Sequence, residues 1–353
     1  MNFTFLETLV AFLIVLGLAV FVHELGHFLV AKAVGVRVLE FAFGFPPKIA
    51  TLFVRNGTEY KICALPLGGY VKLAGMDPHE EAGPDGFDSK PVWARMLVYV
   101  AGPLMNFALA ALIFIGMGAT VGVPTRGDMI RIVGVVERGP AAGAGFRPED
   151  RVIAIDGKKV SMDEMLATVK KSPGRPLTFT LEREERQVTL RVTPDAKPDS
   201  AGQIGVQLTP DVVYRKAGVF FAMVYGVSAT WDWTRETLVN LGKVFYDREA
   251  RKGVGGPVAI ARLAGEAFRQ GAITFFQFLA VISVNLGVIN LLPLLVVDGG
   301  HIALLGLEWA RGRRLQPSMQ VSIQVVGMVL ILLVVVLLTV RDIGMWATGT
   351  SPF

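Results

Sequence analysis

Four apolar runs constrain this chain more than any other feature. They cover about 3–30, 96–123, 272–297 and 321–340. Each is long enough to cross the roughly 30 Å of hydrocarbon in a bilayer. Inside lipid the backbone must satisfy its own hydrogen bonds, and uninterrupted apolar runs of this length do so as helices. Charged residues make up only 18% of the 353 residues, against about 25% in soluble proteins, and the mean hydropathy is +0.50. The expected fold class is a multi-pass α-helical membrane protein with four transmembrane helices. No Lys or Arg precedes the first run and no small-residue cleavage site follows it, so it reads as a retained span and not a signal peptide. Loop 31–95 carries Lys32, Arg37, Lys48, Arg55, Lys61, Lys72, Lys90 and Arg95, and loop 299–320 carries Arg311, Arg313 and Arg314. The positive-inside rule places both loops in the cytoplasm and the region between the second and third spans outside. The same flanking charges account for the pI near 9.3, so no nucleic-acid partner is implied. Cys63 is the single cysteine, which excludes an internal disulfide or a Cys-based metal site.

The chain divides into a first membrane half (1–123), an inserted domain (124–208), amphipathic connecting helices (209–271) and a second membrane half (272–353). In the insert, "DMIRIVGVVERGPAAGAGFRPEDRVIAIDGKKV" sets short β-branched strands between Gly and Pro turns, "MDEMLATVKKS" is a short amphipathic helix, and "PLTFTLEREERQVTLRVTP" alternates about a charged turn. The pattern "GPAAGAGFRPEDRVIAIDG" resembles the PDZ domains of bacterial proteases. The resemblance implies an α/β domain that takes extended C-termini or strands by β-augmentation; a β domain acting only as a spacer is the alternative. Residues 217–231 are apolar but short and run into Asp232, so they are placed on the membrane surface or against the bundle. Residues 58–76 include "YKICALPLGGYVKLAGM", which alternates apolar and polar around Gly68 and Gly69. This is expected to be a membrane-reentrant β segment shielded by protein, since open strand edges cannot face lipid. An ordinary cytoplasmic hairpin is the alternative.

His23-Glu24-Leu25-Gly26-His27 lies inside the first span. Positions i and i+4 share one helix face, so both imidazoles reach one cation, with Glu24 beside it. This is the pattern of zinc ligands and general base in metalloproteases. Ionisable residues at membrane depth are costly and mark function. Catalytic zinc needs a third protein ligand, and "FLVAKAVGV" downstream supplies none. Asp298 is the best candidate. It closes the third span, Pro293 breaks the helix before it, and Gly299 and Gly300 follow it and permit close backbone approach. His301 is the rival ligand. His79 falls in the acidic loop "MDPHEEAGPDGFDSK" and is expected to be solvated.

Taken together, "HELGHFLVAKAVGVRVLEFAFGF", "LPLGGYVKLAGM", "KPVWARMLVYVAGPLMNFALA", "GVGGPVAIARLAGE" and "SVNLGVINLLPLLVVDGGH" resemble the site-2 protease family of intramembrane zinc metalloproteases, specifically the bacterial regulator of sigma-E protease type. The resemblance covers nearly the whole chain. It implies Zn2+ held by His23, His27 and Asp298, Glu24 as catalytic base, and Asn290 in substrate binding or transition-state support. The Gly68-Gly69 segment is expected to hold the substrate extended. Leu295 stands where the family motif has its second Pro, Val297 where it has Leu, and Pro46 where "GFGPK" is common. These departures bear on the shape of the substrate groove and remove neither a ligand nor the base. There is room for one PDZ domain where many relatives carry two. The implied substrates are single-span membrane proteins, such as trimmed anti-sigma factors and remnant signal peptides, cleaved in a bacterial cytoplasmic (inner) membrane. The rival classes are a non-catalytic PDZ membrane scaffold, which would have lost Glu24 or a ligand, and a metal-ion transporter, which would line spans two and four with polar residues. Those spans are nearly bare apart from Asn106 and Gln324.

Overall fold

The computed structural model describes residues 3–76, 83–196, 201–294, 296–314 and 316–347; His79 and Leu295 lie outside them. Two compact units result, one from Met1–Gly118 with Gly218–Phe353 and the other from Ala119–Ala217.

The first unit contains the helices α1 (Phe3–Ala33), α2 (Val92–Thr120), α5 (Val219–Lys243), α6 (Arg248–Lys252), α7 (Pro257–Arg269), α8 (Ala272–Leu291), α9 (Asp298–Arg311) and α10 (Pro317–Ala347). Among the described residues, α1, α2, α8 and α10 are long and apolar enough to cross a membrane. Small residues let these helices meet closely. A Cβ on Gly26 would lie 2.3 Å from the Ala101 carbonyl oxygen, and one on Gly265 2.3 Å from the Thr8 hydroxyl. Ala11, Val15 and Ala19 of α1 accordingly pack on Ala264 of α7 and on Phe275 and Leu279 of α8. The stretch around 217–231 is the start of one continuous helix, α5, whose Ala229 joins a core with Phe114 of α2 and Val284 of α8. Thr237 donates to Asn285 across that interface at 2.7 Å. The end of α10 is held differently. Asp342 accepts from the free N–H groups of Gly256 and Ala259 at 3.0 Å each, where α7 begins. Orphan amides at a helix N-terminus favour such a carboxylate.

The same unit contains β1 (Val38–Arg55) and β2 (Thr58–Leu73). Asn56 and Gly57 turn between them with φ of 50° and 75°, the Asn-Gly hairpin signal. Both strands fold back on themselves. Phe41 pairs with both Tyr60 and Val71, and Ala42 with both Lys61 and Tyr70. The result is a curled sheet in the order 69–73, 38–43, 58–62, 48–55, with 69–73 at one edge. Residues 60–76 alone do not make this sheet. Its inner segments are 38–43 and 58–62, and 38–43 lies outside the expected β segment 58–76. Aromatic rings pin it to α1: Phe41 meets Phe21 at 5.6 Å and Phe28 at 5.0 Å between centroids.

The third apolar run is interrupted before Asp298, where the sequence places Pro293 as a helix breaker. Helix α8 stops at Leu291, Leu292 is extended at φ −66° and ψ 145°, and a new helix starts at Asp298. Pro293 forces the residue before it out of helical conformation.

The second unit holds β3 (Val123–Val135), α3 (Pro140–Gly143), β4 (Arg151–Ile155), β5 (Lys158–Lys159), α4 (Met162–Lys170), β6 (Leu177–Arg183), β7 (Arg186–Val192), β8 (Asp195–Ala196), β9 (Gly202–Gln203) and β10 (Val206–Arg215). The main sheet runs β10-β3-β4-β6-β7, with β5 beside β4. Its last strand continues past residue 208 to Arg215, which pairs with Val123. Ile130, Ile132, Phe146, Met165, Phe179 and Leu181 fill the core. Ser161 and Glu164 form a capping box at the start of α4, and Glu184-Glu185 turn β6 into β7 with φ of 49° and 62°.

Candidate metal centre

On α1, His23 and His27 sit one turn apart, with Nε2 atoms 3.2 Å from each other. Asp298, the first residue of α9, places Oδ2 3.1 Å from His23 Nε2 and 3.5 Å from His27 Nε2. Among the described residues these three side chains form the group able to hold a metal ion. The edges of the triangle suit one tetrahedral ion, since bonds of about 2.0–2.1 Å separate neighbouring ligands by about 3.3 Å.

The hydrogen bonds around the triangle support a metal. His27 Nδ1 lies 2.8 Å from the Val98 carbonyl oxygen. A carbonyl only accepts, so Nδ1 carries the proton and Nε2 of the neutral ring presents a lone pair. Pro103 lies within α2 and gives the Tyr99 carbonyl no helical donor. The Val98 carbonyl that faces His27 is that of the residue just before Tyr99. Asp298 Oδ2 is buried and lacks a conventional hydrogen-bond donor, although two ring nitrogens are close. The His27 Nε2 lone pair and the anionic Asp298 oxygen, directed at one point, repel unless a cation joins them. Gly102 keeps the space open: a Cβ there would be 2.4 Å from His27 Nε2 and 2.8 Å from His23 Cε1.

Glu24 interacts electrostatically with His23, His27 and Asp298, and its carboxylate takes a hydrogen bond from the Val71 backbone. The edge segment 69–73 thus fixes this carboxylate. Gly69 makes the approach possible, because its Cβ would lie 2.6 Å from the Ala42 carbonyl oxygen and 3.7 Å from Glu24 Cγ. Gly68 packs on Val20 of α1 and on Phe45, with a Cβ placed 3.0 and 3.1 Å from them. Asn290 sits in the last turn of α8, partly exposed, where the helix breaks. His301 stands apart from the triangle. It stacks flat on Tyr99, centroids 4.7 Å apart and planes 5° apart, and burial lowers its pKa and keeps it neutral.

Two contributors were missed by sequence reasoning. The Val98 carbonyl carries no sequence signal. Asn106 does: it is a polar residue within an otherwise apolar span, is fully buried, and lies 3.2 Å from His23 Nδ1.

Two imidazoles and a carboxylate around one point, with a second carboxylate beside them, form the donor set of a metal-dependent hydrolase. Residues 11–334 match the model of Peptidase family M50, and the chain belongs to that family. It is 29% identical over 424 aligned positions to the regulator of sigma-W protease RasP of Bacillus subtilis, covering 96% of this chain and 99% of the relative. It is 30% identical over 420 positions to the zinc metalloprotease RasP of Geobacillus kaustophilus, covering 96% and 98%. Among solved structures, the PDZ domain of the SdrC-like protein of Listeria monocytogenes aligns at 17% identity and a TM-score of 0.23, covering 24% of this chain and 92% of that one.

Proposed function

We propose that the protein is a zinc metalloendopeptidase that cleaves single-span membrane substrates within or near the bilayer. The convergence of His23 Nε2, His27 Nε2 and Asp298 Oδ2 within 3.5 Å carries this reading. These three residues would hold Zn2+. When bound, the metal supplies a Lewis acid that acidifies water and polarises the scissile carbonyl. Glu24, oriented by Val71, takes the proton of the attacking water on its carboxylate and passes it to the leaving amine. Asn290, at the end of α8, supports the developing oxyanion.

A substrate helix hides its carbonyls in internal hydrogen bonds and must unwind to be cut. Edge segment 69–73 pairs on one side with 38–43, and its other side borders Glu24. We read it as the strand that holds the unwound substrate. The curled sheet exposes Phe45, Ile49, Leu52, Phe53 and Val54, which supports placing it in the membrane as a reentrant element. The basic loops 31–95 and 299–320 support a cytoplasmic site and an extracytoplasmic second unit in a bacterial inner membrane. In that unit a cavity of about 390 Å3 lies between α4 and 201–208, lined by Met165, Leu166, Val169, Ile204, Val206 and Leu208. β10 borders it as an edge strand of the main sheet. This arrangement supports a PDZ reading, with a peptide added along β10 and bulky untrimmed substrates turned away. One relative's name, regulator of sigma-W protease, fits a substrate that controls a sigma factor, and trimmed anti-sigma factors and remnant signal peptides share the same single-span chemistry.

The test uses detergent-purified protein and a model single-span peptide. Glu24→Gln is expected to lower cleavage at least about 100-fold while retaining zinc, and chelation of the parent is expected to stop cleavage until zinc is restored. Parental cleavage by Glu24→Gln, or indifference to chelator, overturns the reading.

A further inference from the structure

Asn106, on α2, has its side chain fully buried. Its main-chain carbonyl accepts from Ser283 of α8 at 2.9 Å, which fixes the residue between two helices. Its amide faces His23 Nδ1 at 3.2 Å through Nδ2, and its Oδ1 is buried without a hydrogen-bond partner. The two orientations of this amide have different consequences. With Nδ2 facing the ring, Nδ1 must accept, so the neutral ring carries its proton on Nε2, where it cannot ligate. With the amide turned by 180°, Oδ1 accepts from Nδ1–H and Nε2 is left as a lone pair. His27 has the second arrangement already, through Val98.

We infer that Asn106 is a positioning residue for the metal centre: its side-chain oxygen accepts from His23 Nδ1–H and fixes the tautomer that directs Nε2 at the metal. The amide does for His23 what a backbone carbonyl does for His27. Neither contacts the metal or the substrate. Outer partners of this kind orient a ligating histidine and raise its basicity, and losing one typically weakens metal binding 10–100-fold. The inference rests on the zinc reading above.

Zinc affinity is measured by chelator competition on the full-length protein in detergent, without reference to proteolysis. Asn106→Leu keeps the approximate volume and removes the acceptor. It is expected to weaken zinc binding 10–100-fold. Asn106→Asp restores an acceptor and is expected to bind zinc within about threefold of the parent or more tightly. Parental affinity in Asn106→Leu overturns the inference, as does an equal loss in both variants, which would mark a packing role only. If Asn106→Leu does not fold, nitrogen-15 NMR of the zinc-loaded parent decides. A His23 ring protonated on Nδ1 and ligated through Nε2 supports the inference; ligation through Nδ1 overturns it. A parent that binds no zinc defeats the zinc reading itself, and that result is distinct from all of these.

Discussion

At the scale of single residues, the centre depends on an anionic oxygen reaching two helical imidazoles. Asp298→Ala removes that oxygen and leaves His23 and His27 as a two-point site. Bound zinc, measured by elemental analysis after dialysis, is expected to fall well below one equivalent while the protein remains folded. Undiminished zinc would return His301 to consideration, against its stacking on Tyr99. The pairing of His23 with His27 was legible because helix geometry alone brings i and i+4 together. Asp298 was legible from the Pro and Gly residues around it. Asn106 was visible only as a polar atom in an apolar run, with no spacing to connect it to His23. Its role depends on how closely α1 and α2 approach, and that distance is set by Gly26 and Gly102.

At the scale of elements, the position of Asp298 depends on how α9 is held. At its start, a Cβ on Gly299 would lie 2.2 Å from the Leu292 carbonyl oxygen, so α9 rests directly on the frayed end of α8. Near its other end, Glu308 pairs with Arg95 of α2 at 2.6 Å, with both residues buried. Breaking a buried pair strands one charge and costs about 3–5 kcal/mol, whereas replacing both partners by apolar groups is often neutral. Glu308→Leu is therefore expected to lower the thermal midpoint sharply and to weaken zinc binding. The double variant Arg95→Leu with Glu308→Leu is expected to recover most of both, as read by thermal unfolding and chelator competition. Neither the pair nor the new helix at Asp298 follows from local pattern. The apolar run continues through 292–297, and only Pro293 signals the break. The central strand 38–43 was hidden for a related reason. "VLEFAF" puts Val38 and Ala42 on one face with Glu40, which pairs with Lys61, and Leu39, Phe41 and Phe43 on the other, so apolar residues fall on both faces and the period-2 signal of a half-exposed strand is weak.

At the scale of the whole molecule, the second unit enters and leaves the chain at one place. Val123 and Arg215 are paired neighbours at the ends of β3 and β10, so a short connection can replace the unit without stretching the rest. With 123–215 exchanged for a flexible linker, zinc content and cleavage of a trimmed single-span peptide are expected to persist. Substrates carrying a folded extracytoplasmic domain are expected to become cleavable. Comparing the two substrate classes in proteoliposomes checks this, and continued refusal of the bulky class would remove the filter role. The insert was legible in outline because its strands alternate and its turns carry Gly and Pro. The ligands' places along the chain have a further consequence. His23 and Asp298 are 298 − 23 = 275 residues apart, and at about 5–20 residues per second their synthesis is separated by roughly 14–55 s. On the metal reading above, a nascent chain holds the base and two ligands for that interval without the third. On that reading the chain has no complete metal centre until Asp298 has been made, late in its synthesis.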